Sequence, residues 1–161
     1  MKFYHIKDDY IVFLRQFDSK VSENKNQTRP YVGIVLEIDT IKYYAPFSSP
    51  KPKHRKMKNS KDFRKIHKGI YGAINFNNMI PVLDDALIEI DISNIPDVQY
   101  RRLLQNQYNS IKADEEGIMK TAANLRELIF DDENNLTEHD IIVKQRCCNL
   151  QLLEEKYTEW K

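Results

Sequence analysis

The apolar positions along the chain change period several times. Lys2–Ile6 alternates and predicts a short strand. Behind Asp8-Asp9, which can cap a helix, Tyr10, Ile11, Phe13, Leu14 and Phe17 fall at helical spacing. Asp18–Arg29 is polar and reads as a loop. Pro30 and the Val/Ile/Leu run after it predict a strand, Tyr31–Ile38, with Ile41–Phe47 as its antiparallel partner across Asp39-Thr40. Ser48–His67 breaks the pattern, because Pro50 and Pro52 are incompatible with a regular central strand. Tyr71–Phe76, Met79–Leu83 and Leu87–Asp91 predict three more short strands, with Pro81 confining the middle one to an edge or a bulge.

After residue 91 the period becomes helical. Asp97 is placed to cap a helix from Val98 to about Lys112, and a second runs from about Asp114 to Phe130. Thr137 opens another, with Glu138 and Asp140 favourable in its first turn, and Asn149 can cap a last one, Leu150–Trp160. About six strands followed by helices predict an α+β fold: a compact, strongly twisted antiparallel sheet flanked by helices. The chain shows no repeat and no low-complexity tract, so one domain over 1–161 is expected.

Composition narrows the class. With 161 residues, 41% hydrophobic and 30% charged, the chain is long enough for one core and too apolar for disorder. No apolar run nears the roughly 20 residues of a membrane helix, and Met1–His5 lacks the apolar segment of a secretory signal. The two cysteines, Cys147 and Cys148, are adjacent. They read as buried small residues in a reducing, cytoplasmic setting. The net charge of +1 conceals an asymmetry. Lys51–Lys68 holds seven Lys and two Arg against Asp62 alone, a net +8, leaving −7 elsewhere. That block is the footprint of a polyanion-binding surface.

Candidate chemistry follows from what is absent and what is clustered. There is no phosphate-binding glycine loop, no nucleophile elbow and no HExxH or CxxC spacing. A zinc site from His54, His67, Cys147 and Cys148 is conceivable but lacks known ligand spacings. The informative stretch is Ala45-Pro46-Phe47-Ser48-Ser49-Pro50-Lys51-Pro52-Lys53-His54. In extended or polyproline-like backbone Ser49, Lys51 and Lys53 share a face. RNA can be cut by its own 2′-OH, so a site need only hold the phosphate in line, offset the growing charge and move protons. Lys51 and Lys53 can offset charge, Ser48 and Ser49 can donate to phosphate oxygens, and His54 can move a proton. Pairing of Tyr31–Ile38 with Ile41–Phe47 brings Arg29 beside Ser48-Ser49. For RNA binding the candidates are Lys53, His54, Arg55, Lys56 and Lys58 on the backbone, Tyr31 as a stacking platform, and Arg101, Gln107, Tyr108 and Lys112 on the helix. A solvated loop on an RNA-binding module without catalysis, or an adaptor for an acidic protein, fits the same charge.

The chain resembles the ToxN/AbiQ toxins of type III toxin–antitoxin systems. Met1-Lys2-Phe3-Tyr4, Val32–Ile38 and the Ala45-Pro46-Phe47-Ser48-Ser49-Pro50-Lys51 core carry the resemblance. Ala73-Ile74-Asn75, Met79–Val82, Leu103-Leu104, Gln107-Tyr108 and the tail Cys147–Asn149 with Leu152–Tyr157 agree with it in order. The resemblance implies a Kid/MazF-like core and a metal-independent endoribonuclease without cofactor. Such an enzyme cuts single-stranded A-rich RNA to a 2′,3′-cyclic phosphate. A small pseudoknot RNA would inhibit it, commonly in closed protein–RNA rings, in defence against phage; cellular and phage RNA would be substrates. The family's essential serine falls on Ser49, its neighbouring hydroxyl on Ser48, its lysines on Lys51 and, with a change of type, on Arg29. A tyrosine that some members carry slightly upstream has no counterpart in Lys25–Thr28, and Tyr108 stands where some have Trp.

Overall fold

The computed structural model describes residues 1–161. Seven strands and six α-helices follow in the order β1 (Lys2–Ile6), α1 (Asp8–Arg15), β2 (Tyr31–Ile38), β3 (Ile41–Ser48), α2 (Pro52–Lys56), β4 (Phe63–Lys65), β5 (Ala73–Asn75), β6 (Ile80–Pro81), β7 (Leu87–Glu89), α3 (Val98–Ala113), α4 (Glu115–Phe130), α5 (Glu138–Arg146) and α6 (Leu150–Lys156). The strands form one antiparallel sheet in the order β4-β5-β3-β2-β1-β7, with two-residue β6 pairing to β3 beside that path. Sequence and structure agree on the α+β class and on five strand positions at once, with the Pro81 strand reduced to a stub as its missing N–H requires.

Three elements depart from expectation. β4 is a strand inside the basic block, with Phe63 buried and paired to Asn75; its three residues are too few to show a period. Beyond Lys51 the backbone is not extended. Pro52 opens α2 at the first helical position, where its fixed φ and missing N–H are harmless. Lys53 therefore lies in the first turn of α2 rather than in an extended run with Ser49 and Lys51. The expected strand Tyr71–Phe76 is trimmed to Ala73–Asn75. Gly72 takes φ +97° before it and a 3-10 turn, Phe76–Asn78, follows it.

The helix starts behave as local chemistry dictates. Asp97 accepts from the N–H groups of Gln99 and Tyr100, Thr137 and Asp140 form a capping box, and Asn149 accepts from Leu152 N–H. At α1 the expected cap is not made. Asp8 and Asp9 lie within its first turn, where they favour the helix dipole, and neither caps it.

A continuous core joins sheet and helices through Phe3, Tyr10, Tyr43, Phe47, Phe76 and the buried stripe Ile118, Ala122, Leu125 and Ile129 of α4. Cys147 and Cys148 are buried at the α5–α6 junction as expected, and burial pushes the Cys147 thiol up to about 12. A half-buried polar cluster ties helix to sheet. Arg126 donates to both oxygens of Glu154 at 2.8 and 3.0 Å, and the Tyr43 hydroxyl donates to the same carboxylate. No helix is long and apolar enough to cross a membrane.

Candidate active site and RNA cleft

The β2–β3 hairpin builds the site. Tyr31 pairs with Pro46, and Phe47 N–H donates to the Pro30 carbonyl at 3.2 Å. The entry to β2 and the exit of β3 therefore lie side by side, and Arg29, Ser48, Ser49 and Lys51 line one cleft of about 260 Å³. Lys25, Thr28, Tyr100 and Gln107 complete its wall, which contains no carboxylate. A contiguous hollow of about 400 Å³ shares Lys25, Arg29, Ser48 and Lys51 and adds Lys53, His54, Asp62 and Arg146. Across both hollows five cationic side chains face one carboxylate. That carboxylate, Asp62, is already held by the Arg146 guanidinium through two bonds of 2.6 Å. Such a concave cationic surface concentrates a polyanion.

The two serines differ. Ser48 is half-buried and its hydroxyl donates to the Ala73 carbonyl at 3.4 Å, whereas Ser49 is exposed and its hydroxyl is unengaged. Their backbone is held from below. A Cβ on Gly72 would lie 1.9 Å from the Ser48 carbonyl oxygen, so β5 approaches β3 here only because residue 72 is glycine. Gln107 Nε2 donates to Tyr71 O at 2.8 Å and to Ser48 O at 3.4 Å, fastening the ends of both strands.

The opposite lip comes from the loop before β2. Asn24 is buried and donates to Ile6 O and Asp8 Oδ1, both at 2.6 Å. Its carbonyl accepts from the N–H groups of Thr28 and Arg29 at 3.2 and 3.4 Å. Lys25, Asn26 and Gln27 all adopt positive φ within that turn, which swings Lys25 and Arg29 to the cleft. Arg29 Nε donates to Glu23 O at 2.8 Å, leaving the rest of the guanidinium for a ligand.

Several candidates are not where single-residue reasoning put them. Tyr31 is fully buried with its hydroxyl unpartnered, so it is no stacking platform; its β2 position points inward to the core. His54 is 3% exposed and accepts the Lys51 N–H at 3.1 Å, so it is not a surface contact to the RNA backbone. Gln107 is buried and its amide nitrogen serves internal carbonyls. Arg101 donates to Ile95 O at 2.7 Å, and Tyr108 packs edge-on against Phe3 in a hollow shared with Lys2 and Glu89. Neither lines the cleft, nor does exposed Lys112. The basic block is also divided. Lys51 and Lys53 face the cleft hollows, and Arg55, Lys56 and Lys58 are exposed without ion-pair partners. Lys61 pairs with Asp140, and Arg64 grips Asp114 at 2.5 and 2.7 Å.

Lys25, Tyr100 and Arg146 are the cleft residues that sequence reasoning missed. One signal was available. Tyr100 stands seven residues before Gln107, two helical turns, so both share the stripe of α3 facing β3. Burial raises the Tyr100 pKa above its ordinary 10, so the phenol, already protonated at neutral pH, is a hydrogen-bond donor there and a weaker acid than a free tyrosine.

Fold and cleft together describe a small α+β domain with a cationic cleft at the exit of its central hairpin, and comparison with known proteins resolves the family. The profile described as Toxin ToxN of type III toxin–antitoxin systems matches residues 2–158, and the chain belongs to that family. Endoribonuclease ToxN of Pectobacterium atrosepticum is 35% identical over 170 residues, covering 99% of this chain and 94% of that one. Endoribonuclease AbiQ of Lactococcus lactis subsp. lactis is 30% identical over 169 residues, covering 98% and 88%. A solved structure from work on selective inhibition of a type III toxin by a non-coding RNA pseudoknot superposes with a TM-score of 0.86 at 31% identity, covering 99% of this chain and 96% of that one.

Proposed function

We propose that residues 1–161 form a single endoribonuclease toxin domain that cuts single-stranded, A-rich RNA by attack of the substrate's own 2′-OH. The reaction leaves a 2′,3′-cyclic phosphate and a 5′-hydroxyl and uses no metal. The observation that carries the reading is the meeting of the unengaged Ser49 hydroxyl with Lys51, Arg29 and Lys25 in one cleft without a carboxylate.

In this reading the scissile phosphate sits against Ser49. The 2′-OH gives up its proton to water as its oxygen bonds to phosphorus, the bond to the 5′-oxygen breaks with that oxygen taking up a proton, and negative charge grows on the non-bridging oxygens. Lys51 and Arg29 offset that charge, and Ser49 donates a hydrogen bond to it, with Ser48 assisting. Arginine supplies charge and a planar fork but no proton transfer. Tyr100, protonated and in the same wall, is placed to donate to a phosphate oxygen or to the departing 5′-oxygen.

The relatives are named endoribonucleases, and the solved neighbour was studied with an RNA pseudoknot. By extension, a small pseudoknot RNA occupies this cleft, assembles with the toxin into closed rings and silences it in the cytoplasm until phage infection. The exposed Arg55, Lys56 and Lys58, with Lys53 at the cleft edge, hold RNA backbone by charge. Ser49→Ala tests the site. Cleavage is lost while gel-shift affinity for RNA stays within a few-fold; unchanged cleavage by a folded variant contradicts the assignment, and a wild-type chain that binds RNA without cutting it is a binding module only.

A further inference from the structure

We propose that His54 is a positioning residue of this site: its Nδ1 accepts the backbone N–H of Lys51 and fixes the Ser49–Lys51 segment so that both side chains face the cleft. The proposal rests on the reading of that cleft as the place of RNA cleavage.

Backbone chemistry singles the bond out. Pro50 and Pro52 carry no N–H, so Lys51 has the one backbone donor in the segment 50–52. Lys51 is the extended residue before α2, outside any ladder, and α2 has only five residues, too few to hold a conformation alone. His54 binds Lys51 from both sides. Its N–H donates to the Lys51 carbonyl at 3.0 Å, and its Nδ1 accepts the Lys51 N–H at 3.1 Å, the task that Glu or Gln performs in a capping box.

The surroundings keep the ring in place. His54 is buried, and its ring lies tilted against Phe63 at 6.1 Å. Its carbonyl rests on Gly69, where φ is +87° and a Cβ would come within 2.4 Å of the oxygen. The charged groups around it are Lys51 and Lys53 on its own segment, Lys25 and Arg29 from the loop before β2, and Asp62 and Arg146 across the hollow. His67 and Lys68 stand on the turn packed beneath. Asp62 gives both oxygens to Arg146, so no free carboxylate favours an imidazolium. Burial, then Lys53 and Lys51, lower the His54 pKa from its ordinary 6.5. The neutral ring commits its one lone pair to Lys51, so it is not the base that takes the 2′-OH proton. Protonation turns the acceptor into a donor facing a donor and releases the segment.

The experiment compares the full-length wild-type chain with His54→Ala and His54→Asn in single-turnover cleavage of an RNA oligonucleotide whose cut site is mapped with the wild type. RNA affinity and thermal melting are measured in parallel. His54→Ala slows cleavage about tenfold, the effect of one lost hydrogen bond on the barrier, with affinity within about twofold. His54→Asn keeps an acceptor oxygen near the Nδ1 position and recovers most of the rate. The wild-type rate falls as pH drops through the lowered His54 pKa, below 6.5, and the Asn variant lacks that component. A folded Asn variant as slow as Ala, or an Ala variant as fast as wild type, overturns the proposal. Should the Ala variant not fold, the Asn variant decides alone by its rate and acid limb. A wild-type chain that cuts no RNA overturns the reading of the cleft itself.

Discussion

Substitution of Gly72 by Ala perturbs the backbone of Ser48 and Ser49 without changing any side chain of the cleft. Gly72 sits at φ +97°, where an L side chain is strained by about 1–2 kcal/mol. Its Cβ would also stand 1.9 Å from the Ser48 carbonyl oxygen and 3.1 Å from the Ser49 carbonyl carbon. To reach the shortest tolerable contact of 3.0 Å, β3 and β5 must part by about 1 Å. Gln107 resists, because it holds Tyr71 O and Ser48 O at once. Strain and separation together cost about 2–4 kcal/mol, a fall in Tm of about 4–16 °C for a chain of this size. A shift of about 1 Å at a reacting group lowers the rate about 100-fold. The cations of the cleft stay, so RNA affinity changes only a few-fold. The assay is single-turnover cleavage well below the melting temperature, with circular dichroism and gel-shift affinity alongside. A Gly72→Ala protein that melts and cleaves like wild type refutes the argument that the β3–β5 approach positions the serines.

Other substitutions separate the remaining roles. Tyr31→Phe removes a buried hydroxyl without a partner, so stability is unchanged or rises by up to about 1 kcal/mol and RNA affinity does not move, as thermal melts and gel shifts will show. Lys53→Ala lowers the slope of log affinity against log salt by about 0.7 for single-stranded RNA if it contacts one phosphate, while Lys112→Ala leaves the slope alone. Arg126→Met leaves the Glu154 carboxylate, only 13% exposed, without its cation and with the Tyr43 hydroxyl alone, and costs about 3 kcal/mol in denaturant titration without altering cleavage at saturating RNA.

What the sequence disclosed was local, and what it hid was long-range. The caps Asp97, Thr137 and Asn149 were legible because a cap depends on the next three residues. The β2–β3 hairpin was legible too, and it alone justified placing Arg29 beside Ser48-Ser49. The basic block was visible as charge, but its division was not. Lys61 and Arg64 are withdrawn by Asp140 and Asp114, 79 and 50 residues further on. Burial was misjudged wherever a polar side chain works inward. His54 and Gln107 look like RNA contacts by type and are fasteners of the backbone beneath the serines. Lys25 reaches the cleft through three consecutive positive-φ residues, none of them glycine, a conformation no residue preference announces. Tyr100 alone could have been found, by its helical spacing from Gln107.

The central claim is that the cleft between Arg29, Ser49 and Lys51 cuts RNA with the substrate's own 2′-OH. The most direct test replaces the ribose on the 5′ side of a mapped cut site by 2′-deoxyribose and follows binding and cleavage of both oligonucleotides. Attack by the 2′-OH requires that the deoxy oligonucleotide bind as the RNA does and remain uncut, while the RNA yields a 2′,3′-cyclic phosphate and a 5′-hydroxyl. Cleavage of the deoxy-substituted strand at the RNA rate would contradict it.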